Sequence, residues 1–139
     1  MVVLDTNHLT ELGYETKLGM RLSRRLEASA QPVVTTIVCA EEQLRGWLAR
    51  IAKLNRVEQQ IEAYAELGER VNFLAAMTLL PWDKEAAELF ARLRKQGVRI
   101  GTMDLRIACI TMEHDALLLT RNTVDFAQVP GLRFENWLD

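Results

Sequence analysis

Asp5, Glu41, Glu42, Asp104, Asn122 and Asp125 are the side chains whose types and spacing bear on chemistry. Asp5 directly follows the apolar run "VVL", and Glu41 and Glu42 come one or two helical turns after "VVTT". Asp104 opens the helix that follows "GVRIGTM", and Asn122 and Asp125 follow "LLLT". An ionised carboxylate at the end of a buried strand is costly when unpaired, so each acid requires a wet cleft or a cation. In an open α/β sheet such residues share one rim, outside the carboxyl ends of the strands, where strand order reverses. Carboxylates crowded there repel, and at least one takes up a proton unless a positive ion neutralises the group. Oxygen donors without clustered His or Cys select Mg²⁺ or Mn²⁺ over zinc, in sites that share the ion with a phosphate. The chemistry predicted is metal-assisted phosphodiester hydrolysis.

Each of these residues also has a purely structural use. Asp5 can cap a helix or turn, with Thr6 and Asn7 as turn formers; Asp104 can be the N-cap of its helix; Asp125 can be a turn residue before Phe126. Glu41 and Glu42 cannot face the same way, because adjacent helix positions differ by about 100°, so only one is expected in the cleft. His8 and His114 have no second imidazole at ligand spacing and read as surface or turn residues. Trp47, Trp82 and Trp137 read as packing residues, and Cys39 and Cys109 as buried, reduced thiols.

These groups are positioned by strands that alternate with helices. Residues 2–4 read as a strand, followed by one helix whose face carries Leu18, Leu22 and Leu26 and which stops near Pro32. "VVTT" at 33–36 is a second strand, leading into a helix with Val38, Leu44, Trp47, Leu48 and Ile51 on one side. Residues 56–77 keep a helical period and form a hairpin with the preceding helix, and "LLPW" reads as a short apolar break. "DKEAAELFARLRKQG" has an acidic start, a cationic last turn and Gly97 as its stop. A helix over "DLRIACITMEHD", a strand over 116–120 and a last strand near 132–134 complete an α/β pattern with a parallel sheet covered on both faces.

With 139 residues, 49% apolar and 26% charged, the chain is expected to form one domain over 1–139 without staples. The net charge of −2 supplies no global basic field, so any nucleic-acid contact must come from local patches. No signal-peptide pattern and no apolar run of membrane-spanning length occurs, which predicts a cytoplasmic location and no membrane partner.

With those residues in place, the chain resembles the PIN-domain ribonucleases, and most of all the VapC-type toxins of bacterial toxin–antitoxin pairs, over nearly its whole length. "LDTN" resembles the opening motif, which makes Asp5 the first metal carboxylate and gives Thr6 and Asn7 supporting roles. "TTIVCAEEQLRG" resembles the second, where an acid stands four residues before a glycine; with Gly46 as that glycine, the residue carried over is Glu42. "GVRIGTMDLRIACI" resembles the third and gives Asp104, and "LLLTRNTVDFAQVPGLRFENW" resembles the C-terminal segment. The family's fourth acid is replaced here by Asn122, so a ligand role falls to its amide oxygen or to Asp125, with Thr120 in support. The resemblance implies a PIN-like three-layer fold with a central, mostly parallel sheet flanked by helices. It also implies an Mg²⁺- or Mn²⁺-dependent endoribonuclease, a homodimer held inactive by a small antitoxin. Asp5, Asp104 and Glu42 would hold the ion, and whichever of Glu42 and Asp125 stays outside its shell would orient the attacking water. Arg121, Arg106, Arg99 and the "RLSRR" cations Arg21, Arg24 and Arg25 are candidates for gripping RNA phosphates. Two alternatives accompany this reading: a phosphoaspartyl phosphatase using Asp5, and a degenerate domain that holds RNA or protein without cutting.

Overall fold

The computed structural model describes residues 1–139. Strands β1 (Val2–Leu4), β2 (Val33–Thr36), β3 (Leu79–Leu80), β4 (Leu117–Leu119) and β5 (Arg133–Glu135) form one sheet in the order β3-β2-β1-β4-β5. All four pairings are parallel, with Val3 opposite both Val34 and Leu118. The central strands are apolar along their whole length because both faces of the sheet are covered: Val2, Val3, Leu4, Leu118 and Leu119 are fully buried. The chain lays β2 and β3 on one side of β1 and β4 and β5 on the other, so the switch point lies between β1 and β4.

Seven helices surround the sheet: α1 (Thr6–Gly13), α2 (Lys17–Ser29), α3 (Ile37–Ala52), α4 (Val57–Ala76), α5 (Lys84–Lys95), α6 (Thr102–Glu113) and α7 (Thr123–Phe126). The single helix expected before Pro32 is two. Tyr14 takes an extended conformation, and Thr16 restarts the chain by accepting the Gly19 N–H at 2.9 Å. The break lets α1 and α2 pack closely; a Cβ on Gly19 would lie 2.1 Å from the Glu11 carbonyl oxygen. The "LLPW" segment holds the two-residue edge strand β3, too short to show alternation. Asp83 caps α5 by accepting the Ala86 N–H at 3.0 Å, and Gly97, at φ 96°, ends it as expected.

One continuous core of apolar residues includes Phe126, Leu105, Ile107 and Ile110, all fully buried. Cys39 and Cys109 are buried and unpaired, as expected. Trp47 is buried, but Trp82 stands 36% exposed beneath Arg106, whose guanidinium carbon lies 5.8 Å from its ring centroid. His8 corrects its expected surface position. It is fully buried, and its Nε2 accepts the Trp137 N–H at 3.1 Å, across the chain from the C-terminal segment. No helix is long and apolar enough to cross a membrane.

Candidate metal and phosphodiester site

Chain geometry brings the predicted acids to one rim. Asp5 is both the N-cap of α1 and the residue after β1, and its own N–H still continues the ladder by donating to the Leu119 carbonyl at 2.9 Å. Its Oδ1 accepts the Thr6 N–H at 2.8 Å and its Oδ2 accepts the Thr120 hydroxyl at 2.7 Å, so the cap and the strand end β4 fix one carboxylate between them. The capping use of Asp5 and its place in the cleft are therefore compatible.

Thr36 sets the phase of α3 by accepting the Cys39 N–H at 3.0 Å. That phase turns Glu42 inward, where its Oε2 accepts the Thr6 hydroxyl at 2.5 Å, and turns Glu41 outward to pair with Arg45. One glutamate enters the cleft and the other stays on the solvated face, as helix geometry requires.

Asp104 lies in the first turn of α6, but it is not the cap: Gly101 holds that position, without a side-chain bond. Its carboxylate is thus free for the cleft. Asp125 lies on the one-turn helix α7, which has Asn122 at its N-cap position. The Asn122 amide turns its nitrogen toward both neighbouring acids. Its Nδ2 donates to Asp104 Oδ2 and to Asp125 Oδ2, each at 3.0 Å, so it bridges the two acids with a donor. Thr120 closes the network by accepting the Asn122 N–H at 3.0 Å. Asn7, given a supporting role, is exposed and makes no side-chain bond. It is also the position where a phosphoaspartyl enzyme would carry a second carboxylate.

Electrostatics agree with convergence. Asp104 is pushed up to about 6, first by burial and then by the charges of Asp5 and Glu42, against the Asn122 hydrogen bond. Glu42 is also raised, by burial foremost and by the charges of Asp5 and Glu41, while the Thr6 hydroxyl and Arg45 oppose. Burial and the charges of Asp5 and Glu42 push the Cys39 thiol up to about 12, so this residue, 3.9 Å from Asp5 Oδ1, is an inert neighbour.

The donor set fits a hard divalent ion. All the groups are oxygens, the neighbouring acids raise the proton affinity of Asp104 and Glu42, and a neutral amide is what bridges Asp104 and Asp125. No three of these acids bring oxygens within 4.8 Å of one another; the trio that does is Asp83, Glu85 and Glu113, at the start of α5 and the end of α6. Sequence reasoning missed that cluster, although an acidic first turn on α5 beside the end of an antiparallel α6 was a readable signal.

The predicted cations are only partly free. Arg121, beside the site, pairs with Asp139 at 3.1 and 3.2 Å. Arg21 donates to the Leu138 carbonyl at 3.2 Å, and Arg25 lies 4.2 Å over the Trp137 ring, so these two hold the C-terminal segment. Arg99 donates to the Arg94 carbonyl, and Arg106 lines a groove with Trp82 and α3.

A family model described as the PIN domain matches residues 2–132. "Ribonuclease VapC1" of Rickettsia felis is 30% identical over 135 residues, 94% of this chain and 92% of that protein. "Ribonuclease VapC1" of Haemophilus influenzae strain R2866 is 38% identical over 82 residues, where the chain spans only 58% of the relative's length. The structure of VapBC-1 from nontypeable Haemophilus influenzae superposes with a TM-score of 0.66 at 27% identity, covering 100% of both chains.

Proposed function

The chain belongs to the PIN-domain family, and from that membership we propose that residues 1–139 act as a single nuclease domain: a divalent-metal-dependent endoribonuclease, the toxin of a toxin–antitoxin pair. The observation that carries this reading is the hydrogen-bonded set of Asp5, Glu42, Asp104 and Asp125, delivered by four chain segments to the switch point between β1 and β4. The names of its relatives, ribonucleases, support the substrate class.

Asp5, Glu42 and Asp104 would hold Mg²⁺ or Mn²⁺, with Asp125 outside the ion's shell. When bound, such an ion supplies charge neutralisation and Lewis acidity toward phosphoryl oxygens. The chain's own residues do the rest. Thr6 and Thr120 fix the acids through their hydroxyls, so little reorganisation accompanies substrate binding. Asp125, outside that shell and tied to Asp104 through the Asn122 amide, would orient the attacking water and take its proton. The water oxygen bonds to phosphorus, the opposite P–O bond breaks, and the leaving oxygen takes up a proton. Arg121 is the cation beside the site that could meet a phosphate, by exchanging Asp139 for it.

The partners in this reading are RNA, a small antitoxin and a second copy of the chain, all in the cytoplasm. VapBC-1 is the complex that the structural neighbour belongs to. Apolar surface for protein partners is available: Ile37, Leu44, Leu48 and Trp82 line a groove of about 830 Å³ along α3, and Val57, Ile61, Tyr64 and Val71 are exposed along α4. The test is RNA cleavage with Mn²⁺ and with chelator. The wild-type chain should cut only with metal, and Asp5→Asn should cut nothing while keeping its circular-dichroism spectrum. A fully active Asp5→Asn protein would refute the proposal.

A further inference from the structure

Glycine inside a helix is a net cost, and it persists where packing or a ligand needs the missing Cβ. Gly19 meets the first condition, but Gly46, in the interior of α3, does not. A Cβ built there meets nothing within 4 Å. The open space beside it is a hollow of about 310 Å³ between α1 and α3. Small-ligand sites begin at about this volume, so the hollow suits one ring system.

Helix spacing places Glu42, Gly46 and Arg50 in one row, with Gln43 and Trp47 in the next. The Arg50 guanidinium carbon lies 4.8 Å over the Trp47 ring centroid and forms no ion pair, leaving a flat, cationic, exposed surface backed by a buried indole. Gln43 is fixed in sense, because its Nε2 donates to the Thr6 carbonyl at 3.2 Å and to the Thr10 hydroxyl at 2.6 Å. A carbonyl only accepts, so the amide cannot be turned over, and Oε1 remains as an acceptor without a protein donor. A stacking plane, an edge acceptor and a gap one turn from Glu42 together match a flat ring that carries an N–H on its rim.

We propose that this hollow is a subsite for one unstacked base of single-stranded RNA, next to the bond being cut: the base stacks on Arg50 over Trp47, gives an edge N–H to Gln43 Oε1, and occupies the space Gly46 leaves. It rests on the ribonuclease reading above. Arginine planes and indoles stack on any base, so the subsite positions the strand while the Gln43 contact selects among edges.

The test titrates ¹⁵N-labelled protein in chelator with adenosine, cytidine, guanosine, uridine and, as control, ribose, following the Gly46 amide and the Arg50 Nε–H. At least one nucleoside, and not ribose, should shift both signals. Arg50→Ala should weaken that binding about tenfold, the loss typical of a removed stacking partner. Gly46→Leu should abolish it. Gly46→Ala should raise the melting temperature by about 3 °C, which shows the fold has no need of the glycine. Arg50 is exposed, so its variant carries the test if Gly46→Leu fails to fold. No shift with any nucleoside, or shifts unchanged in Arg50→Ala, overturns the subsite. Cleavage of RNA with Mn²⁺ is read separately: a chain that cuts without these shifts loses the subsite alone, and one that shifts without cutting loses the nuclease reading alone.

Discussion

Asp104→Asn should stabilise the metal-free protein and destroy its response to metal. The carboxyl rises from 3.8 to about 6 because burial and the charges of Asp5 and Glu42 disfavour its ionised form. At about 1.36 kcal/mol per unit this corresponds to a ceiling of about 3 kcal/mol, and because the group is only half-buried, solvent screening reduces it to about 1–1.5 kcal/mol. The sign follows from proton binding. The folded state holds this proton more tightly than the unfolded chain, so the wild type loses stability as pH rises from 3.8 to about 6 and carries the full penalty above. Asparagine removes the charge and can still accept from Asn122 Nδ2. Urea unfolding in chelator should therefore show the variant more stable by about 1–1.5 kcal/mol at pH 7.5 and equal to wild type near pH 3.8. With Mn²⁺ at about 100 times its dissociation constant the wild type gains about 2.7 kcal/mol and the order reverses. A variant no more stable than wild type at pH 7.5, or a gap that does not change with pH, would refute the reasoning.

Thr120→Val removes the hydroxyl that donates to Asp5 Oδ2 at 2.7 Å and accepts the Asn122 N–H at 3.0 Å; it should cost about 1–3 kcal/mol in urea unfolding and lower kcat on RNA about tenfold. His8 is held down to about 4, chiefly by burial and then by Arg121, so its contribution is present above pH 6.5 and lost as pH falls toward 4, by up to about 3 kcal/mol. His8→Gln keeps an acceptor for the Trp137 N–H, and its urea midpoints should lose that part of the pH dependence. Gly19→Ala forces a Cβ against the Glu11 and Tyr14 carbonyls and should destabilise by about 3 kcal/mol or more, read as a lowered melting temperature.

How far the sequence was legible depended on whether the signal was local. β-branched and leucine runs marked β1, β2 and β4, because strands buried on both faces favour such residues, even where β2 ends in two buried threonines. The nearness of Asp5, Glu42 and Asp104 to one rim was legible because Asp5 follows a strand, Asp104 lies in the first turn of α6 and Glu42 lies in the second turn of the helix after β2, positions that topology brings together. What failed was long-range or too short to be periodic. β3 and α7 span two and four residues, below the length at which either period shows. The burial of His8 depends on Trp137, a partner at the other end of the chain, and the break before α2 depends on the cap made by Thr16. The sense of the Asn122 amide depends on two carboxylates that only the folded chain brings to it.

The central claim is that Asp5, Glu42 and Asp104, and no other acids, hold the divalent ion. Calorimetric titration with Mn²⁺ tests it on the wild type, on Asp5→Asn, and on a chain carrying Asp83→Asn and Glu113→Gln at the separate α5–α6 acidic cluster. Heat of binding should vanish in Asp5→Asn and persist when the α5–α6 acids are changed. Binding that survives Asp5→Asn and disappears with Asp83 and Glu113 would place the ion away from the strand ends and contradict the account.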